Sequence, residues 1–162
     1  MVIKILVTGG TFDKEYNEIS GELYFNGTHI REILDLGRAQ IDVEIIELML
    51  IDSLDMQDKD REIIVQNCKD IKSDQIVITH GTDTMVKTAK FIAQENLNKT
   101  IILTGAMIPY KFGSSDGLFN LGGAIAYVQS LESGVYIAMN GKCFKWNEVQ
   151  KNFKTGVFEY KS

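Results

Sequence analysis

The sequence predicts an α/β domain built on a three-layer, Rossmann- or flavodoxin-like, mostly parallel sheet. Three observations carry the prediction. Short apolar runs of strand length alternate with amphipathic segments along the whole chain, the signature of consecutive βαβ units. The runs are apolar at successive positions, as strands covered on both faces require. Four of them end in clusters of Thr, Gly, Ser and Asp, so polar groups gather at one edge of the sheet.

Taken in order, the first strand is expected at 2–7, where Val2-Ile3-Lys4-Ile5-Leu6-Val7 is too short and wrongly flanked for a secretory segment. A helix is expected over 28–38, with Ile30, Ile33 and Leu34 on one face and Thr28 as its cap. The second strand spans 43–49. A second helix over 59–71 carries Ile63, Ile64, Cys68 and Ile71 at helical spacing. A third strand at 75–79 leads to a helix marked by Met85, Ala89 and Ile92. The fourth strand, 100–103, leads to one marked by Leu118, Leu121, Ile125 and Val128, with Asp116 read as its cap. The fifth strand is 135–139. Strands joined through helices imply right-handed parallel crossovers. No repeat, low-complexity tract or linker interrupts the chain, and Pro109 is its only proline, so one domain over 1–162 is expected.

Composition narrows the function classes. The 162 residues include 17 Lys plus Arg against 22 Asp plus Glu, a net charge of −5, which opposes a nucleic-acid footprint. No apolar stretch approaches the roughly 20 residues that a membrane span needs. Cys68 and Cys143, the only cysteines, form no framework or CxxC pair, which points to the cytoplasm and to inert thiols. The two histidines, His29 and His80, lie in no ligand spacing, so no metal is expected.

In an open α/β sheet, ligands bind beyond the carboxyl ends of the strands. There this sequence places Thr8-Gly9-Gly10-Thr11, Asp52-Ser53-Leu54-Asp55-Met56, Thr79-His80-Gly81-Thr82-Asp83-Thr84 and Thr104-Gly105-Ala106-Met107. Glycines let backbone N–H groups approach a ligand, and threonines supply nucleophilic or hydrogen-bonding oxygens. Gly9-Gly10 does not fit GxGxxG, and no phosphate loop of the form GxxxxGK[ST] occurs. One TGGT is as readily structural as functional, with Thr11 merely capping the next segment. Two Thr-Gly-Thr clusters at corresponding positions, one followed by Asp83, favour chemistry. His80 is expected to be a strand-end hydrogen-bonding group.

In order and content these motifs, continued by Ser114-Ser115-Asp116-Gly117, Phe119-Asn120-Leu121 and Met139-Asn140-Gly141, resemble the bacterial-type L-asparaginase (asparaginase–glutaminase) family. The segment Thr11-Phe12-Asp13-Lys14-Glu15-Tyr16 looks most like its short single-domain form. The resemblance covers nearly the whole chain. It implies hydrolysis of L-asparagine to L-aspartate and ammonia through a threonine acyl-enzyme, without cofactor or metal. Thr11 matches the nucleophile, Thr82 and Asp83 the second threonine and its neighbouring aspartate, and Lys151 the lysine of the Thr-Lys-Asp group. Ser53 matches the serine that holds the substrate α-carboxylate. Tyr16 matches the tyrosine partnering the nucleophile, with Tyr24 as its rival.

A threonine hydroxyl attacks only when a base takes its proton, and Tyr16 or a neutral Lys151 is available for that. The N–H groups following Gly10 and Gly81 suit a developing oxyanion. Three departures from the family pattern stand out. Leu54 replaces a Gln or Glu that binds the α-amino group, leaving Asp83 to hold it. Phe12 replaces an aliphatic residue. The chain ends soon after Lys151, so closure of the site is expected from the segment after Lys151 or from a partner subunit. A homodimer or homotetramer is implied by analogy. Two other readings stay open: a non-catalytic binder of small amino acids or amides, and a hydrolase of another amide such as glutamine or a D-amino acid amide.

Overall fold

The expected apolar runs come together as a six-stranded sheet in the computed structural model, which describes residues 1–162. In chain order the elements are β1 (Ile3–Gly9), a 3₁₀ turn (Thr11–Asp13), β2 (Lys14–Asn17), β3 (Glu22–Phe25), α1 (Ile30–Leu36), β4 (Val43–Ile51) and α2 (Asp58–Asp70). They continue as β5 (Gln75–Thr79), α3 (Met85–Ala93), β6 (Thr100–Thr104), a 3₁₀ turn (Tyr110–Phe112), α4 (Gly117–Ser130) and β7 (Gly134–Met139). The chain closes with β8 (Lys142–Lys145), β9 (Val149–Asn152) and β10 (Val157–Tyr160).

The strand order is β4-β1-β5-β6-β7-β8, parallel except for the β7–β8 pair. Its five parallel strands follow the flavodoxin-type order, with the switch point between β1 and β5. Side chains alternate across a strand, so successive residues feed two cores. Leu6, Ile76, Ile78, Ile101 and Leu103 pack under α2 and α3 with Phe144, Val149 and Phe158. Ile5, Val7, Val77 and Ile102 face the opposite way, under α1 and α4. This double burial is why the runs are apolar at successive positions. No helix is long and apolar enough to cross a membrane.

The fold expected from the sequence is the one observed, with three additions. The hairpins β2–β3 and β9–β10 and the antiparallel edge strand β8 were not foreseen. All three are built from four-residue strands with many polar residues, too short to show a period. Helix starts also differ in detail. α1 begins at Ile30, and Thr28 Oγ1 accepts its N–H at 3.3 Å. Asp116, expected to cap α4, instead turns its carboxylate toward the loop after β6; Ser115 Oγ takes the Gly117 N–H at 2.9 Å.

Candidate active site

At the switch point the loops after β1 and β5 lie in backbone contact. Gly10 has φ +74°, and a Cβ there would stand 2.4 Å from both N and Cα of Gly81. A Cβ on Gly81 would stand 2.5 Å from Ser53 Cβ, and one on Gly105 would stand 2.3 Å from the His80 carbonyl oxygen. Real contacts to Cβ are never that short, so three glycines are what lets four strand-end loops converge. Thr11, Ser53 and Thr82 are thereby brought to one crevice.

Thr82 and Asp83 are joined by a residue distant in sequence. Lys151 Nζ, on β9, donates to Thr82 Oγ1 at 2.8 Å and to Asp83 Oδ1 at 2.6 Å. The lysine side chain is only 7% exposed and Asp83 34%, so the cluster is set at the crevice wall and open on one side. Lys151 Nζ also lies 5.3 Å from the Phe153 ring centroid, a favourable cation–π approach. A Cβ on Gly156 would sit 3.0 Å from Met107 Cε, so the β9–β10 turn borders the crevice beside the loop after β6. That loop is pinned by Asp116, which accepts the N–H groups of Met107 at 3.0 Å and Ile108 at 3.0 Å. Asn120 adds a donation to the Gly105 carbonyl at 2.8 Å and accepts the Asn140 N–H at 2.9 Å.

Thr11 opens the 3₁₀ turn, anchored by buried Phe12 and Asp13. Asp13 accepts the His29 N–H at 2.9 Å and the Thr28 hydroxyl at 3.1 Å, and burial pushes its carboxyl above the ordinary range. The hydroxyl of Thr11 makes no hydrogen bond, and the N–H groups of Thr11 and Thr82 have no acceptor within the chain. Donors and a hydroxyl left free in this way are available to a ligand.

The two tyrosines sit on the β2–β3 hairpin. The register pairs Tyr16 with Leu23 and Glu15 with Tyr24, so the tyrosines point to opposite faces. Tyr16 is 53% exposed and packs edge-on to Phe112, with centroids 6.3 Å apart. The hydrogen bond that the Tyr24 hydroxyl donates to the Glu15 carboxylate, and that carboxylate's charge, raise the Tyr24 phenol above its usual pKa. The Tyr24 hydroxyl is taken up by Glu15, and no hydrogen bond joins Tyr16 to Thr11. An ion pair from Lys14 to Asp52 ties the hairpin to the Ser53 turn and holds the Asp52 carboxyl below the usual range. Leu54 projects outward, 70% exposed.

Below the crevice is a buried polar layer. His80 is completely buried and, mainly through desolvation, its imidazole pKa is lowered to about 4. Its Nδ1 meets the Gly81 carbonyl at 2.7 Å and its Nε2 meets Thr88 Oγ1 at 2.7 Å, the strand-end hydrogen-bonding role expected for it. No group of three His, Cys, Asp or Glu side chains converges as a metal site would require.

The family model described as "Asparaginase, N-terminal" matches residues 2–162. The chain belongs to the asparaginase N-terminal family. Among its curated relatives, the probable periplasmic L-asparaginase of Haemophilus influenzae is 34% identical over 174 residues, covering 99% of this chain and 49% of that protein. L-asparaginase 2 of Escherichia coli K12 is 31% identical over 170 residues, with the same coverage of 99% and 49%. The solved L-asparaginase I of Vibrio cholerae superposes with a TM-score of 0.86 at 28% identity, covering 98% of this chain and 51% of that one. The chain thus spans about half the length of the relatives it matches.

Within this asparaginase-family domain, several site-shaping residues escaped sequence reasoning. Arg61 is one: it reads as a helix-surface cation between Asp60 and Glu62 but is 1% exposed. Lys14 and Asn120 are others, each defined by partners 15 or more residues away. For Asn120 a signal existed, in an amide at a position that helical spacing places beside Leu121 and Ala124 on the buried face of α4.

Proposed function

We propose that the chain is the catalytic domain of an L-asparaginase-type amidohydrolase acting through a threonine acyl-enzyme. The observation that supports this most is the Lys151–Thr82–Asp83 cluster at 2.8 and 2.6 Å, set in the switch-point crevice beside the free hydroxyl of Thr11. In this reading Thr11 Oγ1 attacks the side-chain amide carbonyl as its proton passes through Tyr16, whose oxygen takes it up while handing the phenol proton on to the leaving nitrogen. The N–H groups of Thr11 and Thr82 hold the oxyanion, a contribution of about 3 kcal/mol per donor. Collapse expels ammonia, which takes up a proton as it leaves, and water then cleaves the ester to aspartate. Thr82, held by Lys151, and Asp83 fix the second side of the substrate, with Ser53 and Gly10 lining its carboxylate end. Tyr16 is preferred to Tyr24 because the Glu15 contact makes the Tyr24 phenol harder to deprotonate.

The test is ammonia release from L-asparagine, with glutamine and a D-amino acid amide as competitors. Thr11→Ala and Lys151→Met are each expected to lower kcat roughly 10³-fold. Ammonia release that is equal in the parent and Thr11→Ala would refute the acyl-enzyme. Tyr16, 53% exposed and without a hydrogen bond to Thr11, favours a second reading, a small amino-acid binder; aspartate binding in calorimetry without turnover is its outcome. We further propose a homodimer or homotetramer, supported by the exposed Phe119 and Leu118 on α4 and tested by light scattering. Cytoplasmic residence is proposed from the two unpaired cysteines; cell fractionation tests it, and the periplasmic name of the Haemophilus relative is the competing outcome.

A further inference from the structure

Arg61 is a buried cation without a buried counter-ion. Its carboxylate neighbour, Asp58, lies 3.4 Å away, is 58% exposed and is shared with Lys87 at 2.7 Å. A charge left in the interior is costly unless its hydrogen bonds are all used, and here all three of its nitrogens are engaged. Nη1 donates to the Met56 carbonyl at 3.0 Å, Nη2 to Thr84 Oγ1 at 2.8 Å and Nε to Thr88 Oγ1 at 3.0 Å. These three acceptors belong to the Ser53 turn and to the start of α3. Met56 ends the Ser53 turn, and Thr84 Oγ1 donates onward to the Ser53 carbonyl at 2.9 Å. Thr88 leads to His80 and the loop that carries Thr82 and Asp83.

The proton order along the Thr88 branch follows from the donor inventory. Arg61 can only donate and the Gly81 carbonyl can only accept, so Thr88 Oγ1 accepts from Nε and, with His80 Nδ1 committed to that carbonyl, turns its own proton to His80 Nε2. His80 then carries its proton on Nδ1 and donates it to the Gly81 carbonyl at 2.7 Å. All three bonds run the same way, from the cation to the Gly81–Thr82 peptide, and aligned hydrogen bonds polarise one another in a dry interior. Thr88 and His80 are fully buried. Drawing electron density onto the Gly81 oxygen leaves the Thr82 N–H a stronger donor. That N–H is unpaired within the chain.

We infer that Arg61 is a positioning residue of the site: through Thr88 and His80 it holds and polarises the Gly81–Thr82 peptide, and through Met56 and Thr84 it fixes the Ser53 turn. The inference rests on the amidohydrolase reading for its kinetic consequence, but the polarised peptide is observable without turnover. The principal variant is Thr88→Val, which keeps shape and cuts the branch; Thr88→Ser restores the hydroxyl. Arg61→Met removes the cation with an apolar chain of similar length, and circular dichroism establishes that each variant is folded.

In an active protein, Thr88→Val should lower kcat roughly ten-fold with KM within about two-fold, since one oxyanion donor is weakened and not removed. Thr88→Ser should recover the loss. In amide NMR the Thr82 proton should move upfield in Thr88→Val and Arg61→Met, and return in Thr88→Ser. An unmoved Thr82 proton overturns the relay whatever the activity, and so does an unchanged kcat in an active protein. If the parent releases no ammonia while the Thr82 proton moves and returns, the amidohydrolase reading falls and the relay stands.

Discussion

One methyl group added at Gly81 would be driven into the side chain of Ser53. The backbone of Gly81 lies outside the left-handed region, so Gly81→Ala adds bulk without torsional strain. Its Cβ would stand 2.5 Å from Ser53 Cβ, 2.6 Å from Ser53 Oγ and 3.0 Å from Ser53 N. Ordinary contact needs about 3.5–4.0 Å, so one loop must retreat by about 1 Å. Neither loop yields freely, because Gly10 packs on the other side of Gly81 and Thr84 bonds both Ser53 oxygens. Overpacking of this kind costs about 1–3 kcal/mol, or roughly 3–10 °C in Tm for a chain of this size. The displacement falls on Ser53 and Thr82 together, and a 1 Å misplacement is worth about 10²-fold in rate. Thermal melts, aspartate calorimetry and ammonia release measure the three consequences. Gly122→Ala is the control: a Cβ there meets nothing within 4 Å, and in a helix it should raise stability by up to about 1 kcal/mol. A Gly81→Ala protein with parental Tm and aspartate affinity would show that the loops are not in contact.

Tyr16→Phe is expected to lower kcat at least about ten-fold, whereas Tyr24→Phe should change it less than about three-fold; the reverse ranking in steady-state kinetics would exchange their roles. His80 predicts an acid-sensitive fold. Its pKa falls from an ordinary 6.5 to about 4 on folding, chiefly by burial, so the unfolded chain takes the proton first. The contribution is full above about pH 6.5 and drains away as pH falls toward about 4, reaching about 3 kcal/mol. Urea titrations should show that slope in the parent and lose it in His80→Gln; parallel slopes would refute it. At the far end of the sheet, Lys99 Nζ donates to the carbonyls of Cys68 and Ile71, closing the C-terminus of α2. Lys99→Met should cost about 1–2 kcal/mol in urea melts without altering aspartate binding.

Much of the fold was legible because it is written in local pattern. A strand buried on both faces must be apolar at successive positions, as Ile76-Val77-Ile78 is, and a helix over a sheet must repeat its apolar residues every three or four positions, as Met85, Ala89 and Ile92 do. The short polar strands of the two hairpins carry no such period, so their pairing appears only in the folded chain. Residues flanking Gly10 and Gly81 were readable as candidates for the site because tight turns at strand ends have a restricted vocabulary. Arg61 was not, since a cation between two acids in a helix looks solvated until α3 covers it.

The sequence by itself determined the parallel strands of the sheet, their doubly covered core and the set of polar groups delivered to the carboxyl edge, because periodicity and turn chemistry act over a few residues. Only the tertiary structure decided which of those groups meet. Lys151 reaches Thr82 and Asp83 across nearly 70 positions because β9 folds back against the domain. The tyrosines are divided between two faces by a hairpin register, and His80 is neutral because the interior around it is dry. Distance, direction and dielectric are properties of packing, and no local stretch of the chain contains them.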